Sequence, residues 1–358
     1  MNRTAPPSLP GDSMDGTDPA REQKPLTPEF LRIRSHRAVW ITTALVTVAM
    51  ILWFAFTIEP AAFIGILERA GPGVILFTVS CMLVNAGLVI CWMMLIVGGS
   101  AGIAGASRVV AWQMFAATIL PARLGDLAWM YFIHRWMGVP GGRAVFIALY
   151  HRLQDTIVVS AIFLIGIAAL GAQIFGANVG LLVTAIFVLV VGIVFSLQQL
   201  LTWAAKIMRR LDEALDARIV HVAYHHVLQV RVWYRHGVTP AVLWGTFGII
   251  VARWLALLTG LAVLMHGALP ELDWLDSIFA TSTYFILGIV PLQSIGGFGV
   301  GEAGVAWLLT FYGVSLAAAS SMGFVLRLLV NIVHTALFVV VMLALGITQP
   351  RAAVAPRS

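Results

Sequence analysis

Leu120-Pro-Ala-Arg-Leu-Gly-Asp126 interrupts an otherwise apolar stretch, and a distorted copy of it returns as Pro291-Leu-Gln-Ser-Ile-Gly-Gly-Phe-Gly-Val-Gly-Glu302. The residues after each copy keep nearly the same spacing. Gly138-Val139 comes 12 residues after Asp126, and Gly313-Val314 comes 11 after Glu302. Arg152 then lies 13 residues beyond Val139, and Arg327 lies 13 beyond Val314, each followed by leucine in an apolar run. An acid, a helix-breaking Pro/Gly stretch and an arginine, used twice at membrane depth, form the pattern of a two-fold-repeated transport protein.

The setting of these copies is a membrane. Of the 358 residues, 60% are hydrophobic and 11% charged, with a mean hydropathy of +0.94. A soluble domain of this size with so little charge would aggregate. The apolar runs are about 20 residues long and continuous, which favours helices over the alternating strands of a barrel. The net charge of +6 does not indicate nucleic acid, because the basic residues flank membrane segments and form no basic-aromatic stripe. Cys81 and Cys91 fall in one apolar run and read as small buried residues.

Residues 1–37 read as a disordered cytoplasmic tail rich in Pro, Asp, Ser and Thr. Arg32, Arg34 and Arg37 precede a first span at 38–58, too long for a signal-peptide core and followed by Glu59-Pro60 instead of a cleavage site. Further spans are expected at 74–97, 144–170, 178–200, 240–266 and 316–346, about six in all. The apolar stretches 104–137 and 277–312 are each broken in the middle, at Pro121 and Gly125 in the first and at Pro291, Gly296, Gly297, Gly299 and Gly301 in the second. Loop charges orient the chain. Segment 59–73 (Glu59, Glu68, one Arg69), the uncharged 171–177, and 267–276 (Glu271, Asp273, Asp276) fit the outside. Segment 201–239, with Lys206, Arg209, Arg210, Arg218, Arg231 and Arg235, fits the cytoplasm, as does a tail at 347–358. Within it, 206–236 reads as an amphipathic helix lying on the inner leaflet. If the two broken stretches are re-entrant hairpins, three spans separate them. An odd number makes them open to opposite sides, so the sequence repeat becomes an inverted-topology repeat. The expected fold is thus an all-α polytopic membrane protein with a flippase-like region at 38–346.

Buried polar residues mark the candidate site: Arg123, Asp126, Arg152, Asp155, Arg253, Glu302, Arg327 and Asn331. Arg152 and Asp155 are three apart on one helical face, with His151 four before Asp155. Arg327, Asn331 and His334 share a face of the last helix. Such groups cost a few kcal/mol each at bilayer depth unless paired or hydrated. Arg152–Asp155, Arg123–Asp126 and Glu302–Arg327 could be pairs that lock the bundle, but as a set these residues are better explained by a polar cavity for a charged head group. Asn85 is a weaker candidate, a single amide that often serves one interhelical bond. Trp53, Trp92, Trp129, Trp136 and Trp307 read as interface anchors or packing. Gly299-Val-Gly301-Glu-Ala-Gly304 matches a dinucleotide fingerprint in letters and lacks the βαβ context. His221, His225 and His226 have no carboxylate or cysteine at ligand spacing, so no metal is expected. No cofactor is implied.

The residues Leu120–Asp126, Gly138-Val-Pro140, His151-Arg-Leu-Gln-Asp155, Gly296-Gly-Phe-Gly-Val-Gly-Glu302, Tyr312-Gly-Val314 and Arg327 resemble the flippase-like transmembrane domain, the membrane region of lysylphosphatidylglycerol synthases and of stand-alone relatives. The resemblance covers about residues 40–346. It implies translocation of polar-headed lipids between leaflets of a bacterial or archaeal membrane, some relatives being tied to polyprenyl-linked sugars or hopanoids. Gln293-Ser294 stand where relatives usually have Pro and Gly. Synthases append a large soluble catalytic domain. This chain ends about a dozen residues past its last span, so the expectation is a lipid transporter of the cytoplasmic membrane, multi-pass with both termini inside, and not an enzyme. Its expected substrate is an aminoacylated phospholipid, a polyprenyl-linked sugar or a similar lipid. Its expected partners are that lipid and a lipid-modifying synthase or glycosyltransferase, with no nucleic acid; a homo-oligomer is compatible with the sequence. Two other classes stay open, a membrane transferase with Asp126 or Glu302 as base, and a non-catalytic partner of a lipid-modifying enzyme.

Overall fold

The apolar runs fold as helices, because in a bilayer the backbone must satisfy its own hydrogen bonds. The computed structural model describes residues 36–98, 102–120, 124–175, 197–215, 238–288 and 296–346, together with Tyr224, Val227, Leu228, Arg231 and Ser294. Contacts divide the chain into units Met1–Ala38 and Val39–Ser358, and apart from the first three residues of the first helix the second contains everything discussed below. Ten helices and no strands occur among the described residues: α1 (His36–Thr57), α2 (Pro60–Val97), α3 (Ile103–Ile119), α4 (Leu124–Met137), α5 (Gly141–Phe175), α6 (Leu197–Leu215), α7 (Pro240–Ala268), α8 (Trp274–Leu287), α9 (Val300–Phe311) and α10 (Leu316–Leu345). Four of them have segments long and apolar enough to span a bilayer: Pro60–Val97, Gly141–Ile167, Pro240–Ala268 and Leu316–Leu345. Their outward surface is apolar, with Leu76 67% and Leu343 79% exposed, which water would not tolerate and lipid does. This is a helical membrane protein.

The predicted outer loop at 59–73 needs correction. Most of it is helix, the first part of α2, which bends at Gly71 (φ 69°) just before Pro72. Proline cannot donate to the preceding turn, and glycine accepts the left-handed backbone that the bend requires. The predicted span 178–200 lies almost entirely outside the described residues, as do the histidine cluster and most of 216–236. α6 covers the start of the expected amphipathic stretch, and Trp203, Ile207 and Leu211, spaced by four, are all exposed on it.

Small residues set the closest packing, as expected where van der Waals contact drives helix association. α2 and α7 pack along much of their length. A Cβ added at Gly260 would stand 2.6 Å from the Cβ of Cys81. Thr78 Oγ1 donates to the Gly260 carbonyl at 2.8 Å, and Arg69 Nε donates to the Ala268 carbonyl at 2.8 Å.

Both predicted interruptions are present, as breaks between α3 and α4 and between α8 and α9. Pro121, Arg123 and Pro291 lie outside the described residues. Gly125 and Gly301 are corrected in role, because neither breaks a helix. Each is the second residue of the helix that follows the break, and each lets that helix press on its predecessor. A Cβ at Gly125 would meet the backbone of Ala117 at 2.8 Å, and one at Gly301 would meet the Tyr284 carbonyl at 3.0 Å. In the described part of the second break, Gly296 and Gly297 take the left-handed backbone, at φ 87° and 75°.

Candidate functional site

The second break is held by side chains from its own following helix and from α10. Glu302, in the first turn of α9, is 1% exposed. Its Oε2 accepts from the Gly299 N–H at 2.6 Å and its Oε1 accepts from Arg327 Nε at 2.6 Å. One turn along α10, Asn331 Nδ2 donates to the Gly296 carbonyl at 2.8 Å. α9 and α10 can approach this closely because Gly323 faces the Glu302 backbone, where a Cβ would come within 2.9 Å of the carbonyl oxygen. In the described part of the break, the Gly299 N–H and the Gly296 carbonyl are thus satisfied by side chains, the condition for irregular chain at bilayer depth.

The first copy is wired differently. Asp126 occupies the third position of α4, as Glu302 does of α9, but its side chain lies outside the described set. Asp155 of α5 is 4% exposed. Its Oδ1 accepts from Arg253 Nη1 at 2.5 Å and from Trp254 Nε1 at 3.0 Å. Its Oδ2 faces His151 Nδ1 at 3.3 Å and Arg152 Nη1 at 3.8 Å. The closest cation to Asp155 is therefore Arg253 from α7, not the helical neighbour Arg152 that the spacing suggested. Arg253 also donates through Nε to Asn85 Oδ1 at 3.0 Å, which draws in α2. Its Nη1 is 3.2 Å from His151 Nε2. Arginine can only donate, so His151 Nε2 accepts and the proton of a neutral imidazole sits on Nδ1, toward Asp155. The edges of Trp92 and Trp129 clamp this ring, with centroids 4.6 and 4.7 Å away. A second polar set lies next to it on the same helix, where Gln154 accepts from Trp92 Nε1 and donates to Thr246 Oγ1.

The two copies meet at one cavity of about 230 Å³. Its wall includes Asn85, Gln113, Gly125, His151, Arg152, Asp155, Arg253, Tyr284, Arg327 and His334, set among Met82, Val89, Met114 and Leu257. Of the residues singled out in the sequence, Asn85, His151, Arg152, Asp155, Arg253, Arg327 and His334 reach this wall, with Gly125 beside them. Glu302 and Asn331 stand behind it as partners of the second break, and Arg123 lies outside the described residues. Sequence reasoning passed over Gln113 and Tyr284. Gln113 is a lone amide in an apolar helix, a signal that could have been read. Tyr284 looks like any buried aromatic until Arg327 is seen 5.5 Å from its ring centroid. Among the described residues no group of three or more His, Cys, Asp or Glu side chains could hold a metal ion.

The quoted motif residues and the cavity wall all fall within 39–337, and those are the residues that match the family described as the lysylphosphatidylglycerol synthase TM region. The chain belongs to that family. No curated protein and no solved structure matches it. Membership in the lysylphosphatidylglycerol synthase TM-region family places this membrane protein in membrane-lipid function and brings both helix breaks, both arginines at the repeat positions and Arg253 within one matched region.

Proposed function

We propose that the protein moves the polar head group of a membrane lipid between leaflets, with the head in the cavity and the acyl chains left in the bilayer. The observation that carries this reading is a polar cavity within an apolar bundle, lined by Arg152, Arg253 and Arg327 and reached by helices of both breaks. Guanidinium groups present planar forks of donors that match phosphate oxygens. In this reading the two helix pairs are re-entrant hairpins of opposite orientation, and rocking of one pair against the other exposes the cavity to each side in turn. The protein sits in a bacterial cytoplasmic membrane and acts as a transporter, not as a transferase. It receives its lipid from an enzyme that modifies head groups, as the synthase in the family's name would.

Leaflet-resolved labelling of lipids in proteoliposomes holding the purified full chain tests the proposal. Wild type should equilibrate a head-labelled lipid between leaflets faster than empty vesicles do. Arg152→Lys, which keeps charge and loses the fork, should slow that movement sharply at unchanged thermal stability. Equal rates with and without protein, across phospholipids and polyprenyl phosphates, would end the proposal.

A further inference from the structure

Resting on the proposed site, we infer that this protein takes an anionic head group, a phosphodiester or diphosphate with an uncharged polyol or sugar, and rejects a head group carrying a cationic amine. The family's name points to a lysyl lipid, whose amine would need a carboxylate in the wall. The carboxylate of the described wall, Asp155, is already paired with Arg253. Asp155 accepts from Arg253 and Trp254 on Oδ1, and its Oδ2 is enclosed by His151 Nδ1 at 3.3 Å and the Arg152 guanidinium at 3.8 Å, so its charge is already balanced by cations of the wall itself. Glu302 stands behind the wall, with one oxygen on Arg327 and the other on the Gly299 N–H.

The positive side keeps donors to spare at Arg327. Among the described residues, three guanidinium groups line the cavity against Asp155 in the wall and Glu302 behind it, leaving a net positive charge. Arg327 commits its Nε to Glu302, and its two amino groups make no hydrogen bond among the described residues. Helix ends do not alter the balance. Gly125 brings the N-terminal turn of α4 to the wall and Gly288 brings the C-terminal end of α8, and their dipoles oppose one another. A volume of about 230 Å³ leaves room for a phosphate and a compact neutral group. An ammonium drawn into this space would lose its hydration and face arginines, the unfavourable juxtaposition by which a site excludes a wrong ligand.

The test uses the full chain in neutral detergent and reads intrinsic tryptophan fluorescence, Trp254 being on the cavity wall. The probes are short-chain phosphatidylglycerol, its lysyl ester and inorganic phosphate. The expected result is binding of phosphatidylglycerol at least tenfold tighter than of the lysyl ester or of inorganic phosphate. Gln113→Glu, which adds a carboxylate to the wall at nearly constant shape, should shift the ratio at least tenfold toward the lysyl ester. Equal or tighter binding of the lysyl ester by wild type overturns the inference, and loss of that binding in Asp126→Asn would assign the amine to Asp126. Inorganic phosphate binding as tightly as the lipid overturns the lipid head-group assignment, and no binding by any probe overturns the inference as a whole. Tight anionic binding without leaflet movement leaves this inference standing and removes the proposed transport, so the two fail separately.

Discussion

Replacing Glu302 by Gln keeps the side chain's shape and removes its charge, and the cost can be worked from the structure. The Glu302 side chain is fully buried and that of Arg327 is 15% exposed, and they meet at 2.6 Å. Removing one partner of such a pair strands the other as an uncompensated charge, at about 3–5 kcal/mol. The small exposure of Arg327 puts Glu302→Gln at the lower end, about 3 kcal/mol. Arg327→Gln should cost at least as much, since Glu302 has no comparable access to water. The double replacement leaves two amides that can still bond each other and the Gly299 N–H. Its loss should fall short of the summed single losses by about 2 kcal/mol or more, within the range known for contacting residues. Unfolding of the four variants in mixed micelles, followed by far-UV circular dichroism, gives the coupling. Strict additivity, or a loss under about 1 kcal/mol for Glu302→Gln, would refute the view that this pair holds the second break.

Gly125→Ala and Gly301→Ala should each destabilise by about 1–3 kcal/mol, because a Cβ would meet backbone that cannot swing aside; thermal unfolding checks this, and a neutral outcome at both would deny the matched packing of the two breaks. Asp276, at the start of α8, has its carboxyl pushed above the ordinary range first by burial and then by the neighbouring Asp273. The folded state therefore holds this proton more tightly than the unfolded state does, so the contribution is present at low pH and lost as pH rises through the raised value. Stability measured upward from pH 4 should show that decline in wild type and lack it in Asp276→Asn. Single cysteines at Gly142 and at Glu271, in a background without Cys81 and Cys91, should react with membrane-impermeant reagents from opposite sides, cytoplasmic for the first and external for the second. Reaction from one side would remove the inverted orientation of the hairpins.

The helical membrane class, the places of most spans and the two interruptions were legible from composition and apolar run length alone. A bilayer leaves the backbone few alternatives, so local sequence decides these features. The repeat of acid, glycine and arginine was legible too, being a matter of spacing. Helical extent at 59–73 was not: Glu59, Glu68 and Arg69 read as a loop, yet Arg69 caps the far end of α7 through the Ala268 carbonyl, and only the packing of α2 on α7 supplies that acceptor. Partner choice was equally hidden. Spacing along one helix offers Arg152 to Asp155, whereas tertiary structure brings Arg253 across from α7, nearer and more deeply buried, and Asn85 from α2 to hold that arginine. The glycines show the same division. Their number and position announced two breaks, but which of them turn the chain and which admit a neighbouring helix depends on backbone angles and on close contacts with neighbouring backbone, and those belong to the assembled bundle.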